Sequence, residues 1–170
     1  ISAGGMEAAA RCDIVIHCAG LRRRPDESRL DLINRNAALT RDIYQSLDMQ
    51  GWKEGAILLV VANPVDILTQ MATQSTTLAK ERIIGLGTLL DTARFRAHIG
   101  EFLGVDQTQI EALILGEHGD SMVPIWSSAT VNGVPLASMP KFTDEDKATL
   151  FDQTKKSGAE VIRLKGGAGY

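Results

Sequence analysis

Two short segments of this chain carry side chains that could share one piece of chemistry. Leu-Asp-Thr-Ala-Arg-Phe-Arg (90–96) contains Asp91 and Arg94, and Gly-Glu-His-Gly-Asp-Ser (116–121) contains His118. An imidazole exchanges protons near neutral pH, and a carboxylate beside it orients the ring and favours the imidazolium. A guanidinium grips a small carboxylate through two parallel hydrogen bonds. Each residue alone has a plainer reading. Asp91 and Arg94, three apart on a helix, lie on one face, and such a pair is most often a surface ion pair worth under about 1 kcal/mol. A lone histidine placed like His118, between Glu117 and Gly119, is usually a loop residue. Their combination tips the balance. Gly116 and Gly119 flank the histidine in a polar loop directly after an apolar segment, and two acids, Glu117 and Asp120, sit where packing has no use for them. The trio predicts an enzyme that holds a small carboxylate and moves a proton beside it.

The elements that must position these residues follow from pattern. Cys12–Gly20 is an apolar run that reads as a strand buried on both faces. A polar loop with Arg22, Arg23, Arg24 and Pro25 follows, then a helix from Arg29 to about Gln50, with Ile33, Ala37, Tyr44 and Leu47 on one stripe and Gly51 as its stop. Ala56–Ala62 reads as a second buried strand ended by Asn63-Pro64, Val65 to Ser75 as a short helix, and Arg82–Gly85 as a third strand. Strands alternating with helices predict a parallel sheet. Beyond residue 88 the style changes. A helix runs from Asp91 to Leu103 with Gly104 as its cap, and Ile110–Leu115 reads as a strand. Ala129–Leu136 is a hairpin around Asn132-Gly133. Thr143, with Asp146 three residues on, caps a helix reaching Leu164, with an interruption expected at Ser157-Gly158. The expected domains are 1–88 and 89–170.

Composition narrows the function classes. The chain is 44% hydrophobic and 23% charged, which supports a packed core, and its net charge of -3 offers no basic field for nucleic acid. No apolar stretch approaches a membrane span, and no signal peptide is visible. Cys12 and Cys18, as residues of one strand, would lie about 20 Å apart, too far for a disulfide, so a reducing, cytoplasmic compartment is expected. No metal site is expected. The start at Ile1 and the ending at Gly169-Tyr170 read as an internal fragment. The G-x-G-x-x-G fingerprint is absent, and Gly4-Gly5 follows no strand.

Four motifs in one order carry a resemblance. Glu-Ser-Arg-Leu-Asp-Leu-Ile-Asn-Arg-Asn (27–36), Asn-Pro-Val-Asp-Ile-Leu-Thr (63–69), Leu-Asp-Thr-Ala-Arg-Phe-Arg (90–96) and the His118 motif together resemble the L-lactate/L-malate dehydrogenase family, over nearly the whole chain. The resemblance implies the C-terminal part of a Rossmann-type parallel sheet followed by most of an α+β catalytic domain, an α/β protein that is only a portion of its enzyme. It implies NAD as cofactor and a small 2-oxo or 2-hydroxy acid as substrate, with a homo-oligomer, dimer or tetramer, as the assembly. By resemblance, His118 exchanges the proton of the C2 hydroxyl and Asp91 holds its ring. Arg94 binds the C1 carboxylate, and Arg29 polarises the C2 carbonyl once a loop closes. Asn63 touches substrate and nicotinamide, and Gly20, Arg22 and Val61 lie along the cofactor. The fragment alone is expected to be inactive.

Two positions bear on which acid is used. Arg23 falls where malate enzymes of this family resemble one another in carrying Arg and lactate enzymes Gln. A desolvated guanidinium left unpaired by a methyl group costs about 3–5 kcal/mol, and a second carboxylate would pair it. Ala168 stands where lactate enzymes resemble one another in carrying a pocket-lining Thr. Both predict malate and oxaloacetate, with L-lactate and pyruvate as the alternative, since the His118 and Asn63 motifs look lactate-like. A non-catalytic oligomerisation subunit is the rival from another class. It requires none of His118, Asp91, Arg94 and Arg29 together.

Overall fold

A computed structural model of the chain describes residues 1–21, 28–139 and 142–166. It divides into two compact units, Ile1–Gly87 and Thr88–Tyr170.

In the first unit a short helix, α1 (Met6–Ala10), precedes strand β1 (Ile14–His17). Helix α2 (Arg29–Gln50) follows, then β2 (Ile57–Val60), α3 (Val65–Ser75) and β3 (Ile83–Gly85). The strands are parallel in the order β1-β2-β3, with Ile14 opposite Ile57 and Leu58 opposite Ile83. Ser28 caps α2, its hydroxyl accepting from Asp31 N at 3.1 Å, and Gly51 ends the helix at φ +75°, a backbone region that suits glycine. Asp48 then pins the end of α2: its carboxylate accepts from Trp52 Nε1 and from both the backbone and the hydroxyl of Thr77. Tyr44, Leu47, Leu58, Val60, Leu68 and Ala72 form the core between sheet and helices.

The sequence expectation for β1 needs correction. Ile14 and Ile16 are 55% and 57% exposed, and Ile84 of β3 is 47% exposed. These residues share one sheet face by alternation and register, and no described element covers that face. β1 is thus buried on one side, and the apolar run reports the chemistry of both faces but the cover on only one. The cysteines also differ from expectation. Cys12 follows α1, with its Sγ donating to Ala8 O, and Cys18 follows β1; both are exposed and unbridged.

The second unit begins with α4 (Leu89–Leu103), capped at its end by left-handed Gly104. Short strands follow: β4 (Ile110–Glu111), β5 (Ile114–Leu115), β6 (Val123–Pro124), β7 (Thr130–Val131) and β8 (Val134–Pro135). Helix α5 (Asp144–Leu164) packs along α4. The expected single strand 110–115 is therefore two. Ile110 pairs with Val131 and Ile114 with Pro124, in separate antiparallel ribbons, because the partners lie on different segments. The β7–β8 turn holds Asn132 at φ +49° and Gly133 at +77°, both central residues left-handed as a type I′ turn requires. Thr143 and Asp146 form the capping box of α5. The helix runs through Ser157-Gly158 unbroken, since packing outweighs the low helix propensity of one glycine. Phe95, Ile99, Ile110, Ile114, Leu136 and Leu150 make the core, with Trp126 set edge-on to Phe95 at 4.7 Å. No helix among the described residues is long and apolar enough to cross a membrane.

Candidate active site

The second unit brings its three candidate residues together. Asp91 sits in the first turn of α4, where the helix N-terminus favours an anion. Its side chain is 2% exposed, yet both oxygens face partners: Oδ2 lies 2.5 Å from His118 Nδ1, and Oδ1 lies 3.5 Å from Arg94 Nη1. His118 and Arg94 keep 23% and 24% of their side-chain surface. A buried carboxylate thus serves two partly exposed groups that a ligand can reach.

The local chain explains this convergence. Thr92 on α4 accepts from Ile114 N at 2.9 Å and donates to Ile114 O, and Thr88 donates to the same carbonyl at 2.7 Å. The N-terminal turn of α4 is thereby bolted to β5. One residue beyond β5, Gly116 turns the chain at φ +93°, and His118 comes back over Asp91. Arg96 Nε adds a bond to Ala112 O at 2.9 Å. Glu117 does not join the site: its carboxylate accepts from Ser121 Oγ and folds over Gly119. Thr88 and Thr92 are the functional residues that pattern reading misses. Two threonines around the start of a helix, four apart and hence on one face, are the available signal.

Chemically, Asp91 ties down Nδ1 of the imidazole and so orients the ring. Counted formally, Asp91, Arg94 and a neutral His118 sum to zero, and protonation of His118 makes the group +1. The protonated state therefore favours an anionic ligand. Arg94 at 3.5 Å from Asp91 is beyond strong hydrogen-bond range, which leaves its fork able to take a carboxylate.

The first unit holds its candidates at the carboxyl ends of β1 and β2, where open parallel sheets take ligands. Val61 N and Ala62 N both donate to His17 O at 3.0 Å, so the loops leaving the two strands run side by side. A Cβ on Gly20 would come within 3.8 Å of Asn36 Oδ1 and 3.9 Å of Ala62 Cβ. Asn36, buried on α2, clamps Leu21 by accepting from its N–H at 2.7 Å and donating to its carbonyl at 3.3 Å. Exposed Asn63 also serves its own turn: Oδ1 accepts from Val65 N at 3.3 Å, after a cis Asn63-Pro64 bond. A bare backbone at Gly20 beside an exposed amide suits an elongated polar ligand crossing the strand ends. Arg29 opens α2. Arg22, Arg23 and Ala168 lie outside the described residues.

Comparison with known proteins gives this geometry its family. Residues 1–85 match the lactate/malate dehydrogenase NAD-binding domain, and residues 88–170 match the lactate/malate dehydrogenase alpha/beta C-terminal domain. The chain belongs to the lactate/malate dehydrogenase family. It is 42% identical to L-lactate dehydrogenase A of Rhizopus oryzae over 170 residues, all of this chain and 52% of that protein. It is 40% identical to L-lactate dehydrogenase of Halalkalibacterium halodurans, again over the whole chain and 54% of the relative. Among solved structures, the ligand-bound minor L-lactate dehydrogenase of Enterococcus mundtii superposes with TM-score 0.90 at 38% identity, covering 97% of this chain and 53% of that one. Malate dehydrogenase of Plasmodium falciparum superposes with TM-score 0.86 at 31% identity, covering 96% and 53%. The chain spans about half the length of the curated relatives it matches.

Two further histidines are engaged away from these candidates. His98 of α4 is half-buried and lies 2.8 Å from Ser157 Oγ of α5. His17 ends β1 and is buried, with Nδ1 2.8 Å from the Tyr44 hydroxyl. Burial pushes the His17 imidazole down, opposed by the Ala19 backbone, and pushes the Tyr44 phenol up.

Proposed function

We propose that the complete protein carrying this chain is an NAD-dependent L-2-hydroxy acid dehydrogenase. The observation that carries the reading is the buried Asp91 carboxylate bonded to His118 Nδ1 with Arg94 on its other oxygen. Arg94 holds the substrate C1 carboxylate as a bidentate fork. His118 takes the C2 hydroxyl proton on Nε2 and returns it in the reverse direction. Asp91 offsets the positive charge that appears on the ring. Arg29 polarises the C2 oxygen. Gly20, Arg22, Val61 and Asn63 line the path of NAD, whose chemistry when bound is to accept the C2 hydride. The balance is an oxo acid, a reduced cofactor and an imidazolium. Residues 1–88 belong to the cofactor domain and residues 89–170 to the catalytic one. The complete protein acts in the cytoplasm as a homo-oligomer, and the present chain alone is inactive.

For the substrate, the relatives' names support L-lactate and pyruvate better than the malate reading of the sequence. Malate and oxaloacetate stay as the second reading because of Arg23, a cation where a C3 carboxylate would pair it. NADH oxidation by the complete protein with pyruvate and with oxaloacetate decides. A kcat/KM for pyruvate at least tenfold higher supports the lactate reading, and the reverse supports malate. No turnover of either acid refutes the dehydrogenase proposal.

A further inference from the structure

We propose that His17 is a positioning residue for the cofactor: its buried neutral ring, set on Tyr44, holds the strand end Ala19–Leu21 in the form that NAD crosses, and a proton on that ring loosens the hold. The proposal rests on the dehydrogenase reading and on Gly20 as part of the NAD path. His17 closes β1 and is tied down on two sides. Its carbonyl accepts from Val61 N and Ala62 N, both at 3.0 Å, which joins it to the loop leaving β2. Its ring turns toward α2, with Nδ1 2.8 Å from the Tyr44 hydroxyl and the two rings edge-on at 5.3 Å. Farther along the same segment, Leu21 is held by Asn36 of that helix through both its N–H and its carbonyl. Asn36, Thr40 and Tyr44 are spaced four apart and form one buried line, so the two fastenings lie about 12 Å apart along α2. Cys18, Ala19 and Gly20 cross between them. The bare backbone at Gly20 is therefore placed by what His17 and Asn36 hold at either end.

The arrangement suits a neutral ring only. A neutral imidazole is one donor and one acceptor, and a protonated one is two donors. His17 is 4% exposed, and its Nε2 has no hydrogen-bond partner among the described residues, so a second N–H would be buried without an acceptor. The described side chains packed on this side are uncharged: Asn36, Thr40, Tyr44 and Leu47 from α2 and Val60 beside it in β2. Tyr44 is the titratable group facing the ring, and burial holds its phenol protonated. Arg35, Arg41 and Asp42 lie on other faces of α2, and Cys18, next in the chain, is exposed. Desolvation accordingly pulls the imidazole below its usual range, while the Ala19 backbone favours the charged form. That last contact makes the ring a lever on the ligand-facing segment. A proton on His17 strengthens its attraction to Ala19 and ends any acceptance from the Tyr44 hydroxyl. Cofactor lying across Gly20 requires the neutral arrangement, so cofactor binding and proton binding oppose each other.

The test is NADH binding to the complete protein, followed by fluorescence from about pH 7.5 to about pH 5 across the neutral imidazole range. Alongside it, exchange of each histidine C2 proton, read by mass spectrometry, gives the His17 midpoint. Kd for NADH should rise at least about threefold over that span, the change expected when about two thirds of the rings take a proton. His17→Asn cannot titrate there, so most of that rise should vanish. Linkage requires the reciprocal effect: saturating NADH should lower the His17 midpoint by about half a pH unit or more, the same threefold factor read from the other side. This exchange measurement uses the parent protein and decides even where His17→Asn does not fold. Tyr44→Phe should raise Kd for NADH at neutral pH about threefold, the worth of one hydrogen bond, and leave KM for the 2-oxo acid within about twofold. A flat Kd in the parent, a His17 midpoint unmoved by NADH, or a pH dependence that survives intact in His17→Asn overturns the proposal. Failure of the underlying reading looks different: the unmodified protein then binds no NADH even at neutral pH.

Discussion

Replacing Asp91 with Asn removes a charge while keeping shape, and the structure sets the size of the effect. Asp91 is 2% exposed and its Oδ2 is 2.5 Å from His118 Nδ1. Once the ring carries its proton, two unit charges centred about 4 Å apart attract by about 4 kcal/mol at the effective dielectric of a protein surface and about 1 kcal/mol in water. The carboxylate is buried but the imidazole keeps 23% of its surface, so about 3–4 kcal/mol is the fitting range. At about 1.4 kcal/mol per tenfold, Asp91→Asn should lower kcat/KM by about 10²–10³. The loss should fall on kcat. Arg94 also loses a neighbouring anion, which frees it toward the substrate carboxylate, so KM should stay level or fall. The assay is NADH oxidation by the complete protein with its best 2-oxo acid, run in the parent, Asp91→Asn, His118→Asn and double-variant proteins. If carboxylate and imidazole act as one unit, Asp91→Asn costs little more once His118 is gone. A single variant within threefold of the parent refutes the reasoning. So does a double variant in which the two losses multiply in full.

Other substitutions probe the fork, the packing and the titration of the fold. Arg94→Lys removes the fork but keeps the charge, so KM for the 2-oxo acid should rise about 10–100-fold, the worth of one charged hydrogen bond, with a smaller change in kcat; an unchanged KM would place the carboxylate elsewhere. Gly100→Ala should destabilise by about 1–3 kcal/mol despite its better helix propensity, read as a lower urea midpoint. Its Cβ would stand 2.9 Å from the Val105 carbonyl, which is backbone and cannot swing away. His17 gives the pH dependence. Its folded value lies below 6.5, with desolvation as the main cause. The unfolded chain therefore takes up a proton first as pH falls through 6.5, and stability drops until the folded ring protonates in turn. Above about pH 7 both states hold a neutral ring and His17 adds no slope. Urea midpoints between pH 7.5 and 5 should fall less steeply in His17→Asn than in the parent; equal slopes would count against a buried neutral His17.

Much of the secondary structure is legible in the sequence wherever the signal is local. Gly51 ends α2, Asn132-Gly133 makes its type I′ turn, and Thr143 with Asp146 caps α5 as the spacing indicates. What escapes is set by partners distant in sequence. Ile110 and Ile114 join different ribbons because their partners are Val131 and Pro124, which no property of 110–115 reveals. His98 looks like a surface histidine until Ser157, 59 residues on, meets it. The buried line of α2 includes Asn36 and Thr40, so an apolar stripe alone understates which face is inside. Asn36 is there because the loop after β1 needs a clamp.

The same division applies to the candidate site. Residue types at 91, 94 and 118 suggest the chemistry, but taken singly they are more often a surface ion pair and a loop histidine. Burial separates the two readings. A carboxylate with 2% exposure has lost nearly all its water, and such a charge is retained only where partners compensate it. Here the compensation comes from groups that are themselves still partly open to solvent, which is a poor arrangement for stability alone. Two well-packed apolar residues in place of Asp91 and His118 would hold α4 against the 116–121 loop without that cost. The threonine bolts to Ile114 already join α4 to β5 without help from Asp91. The buried anion is therefore superfluous as a fastener, and its placement is explained by what it does to the ring and the fork in front of it.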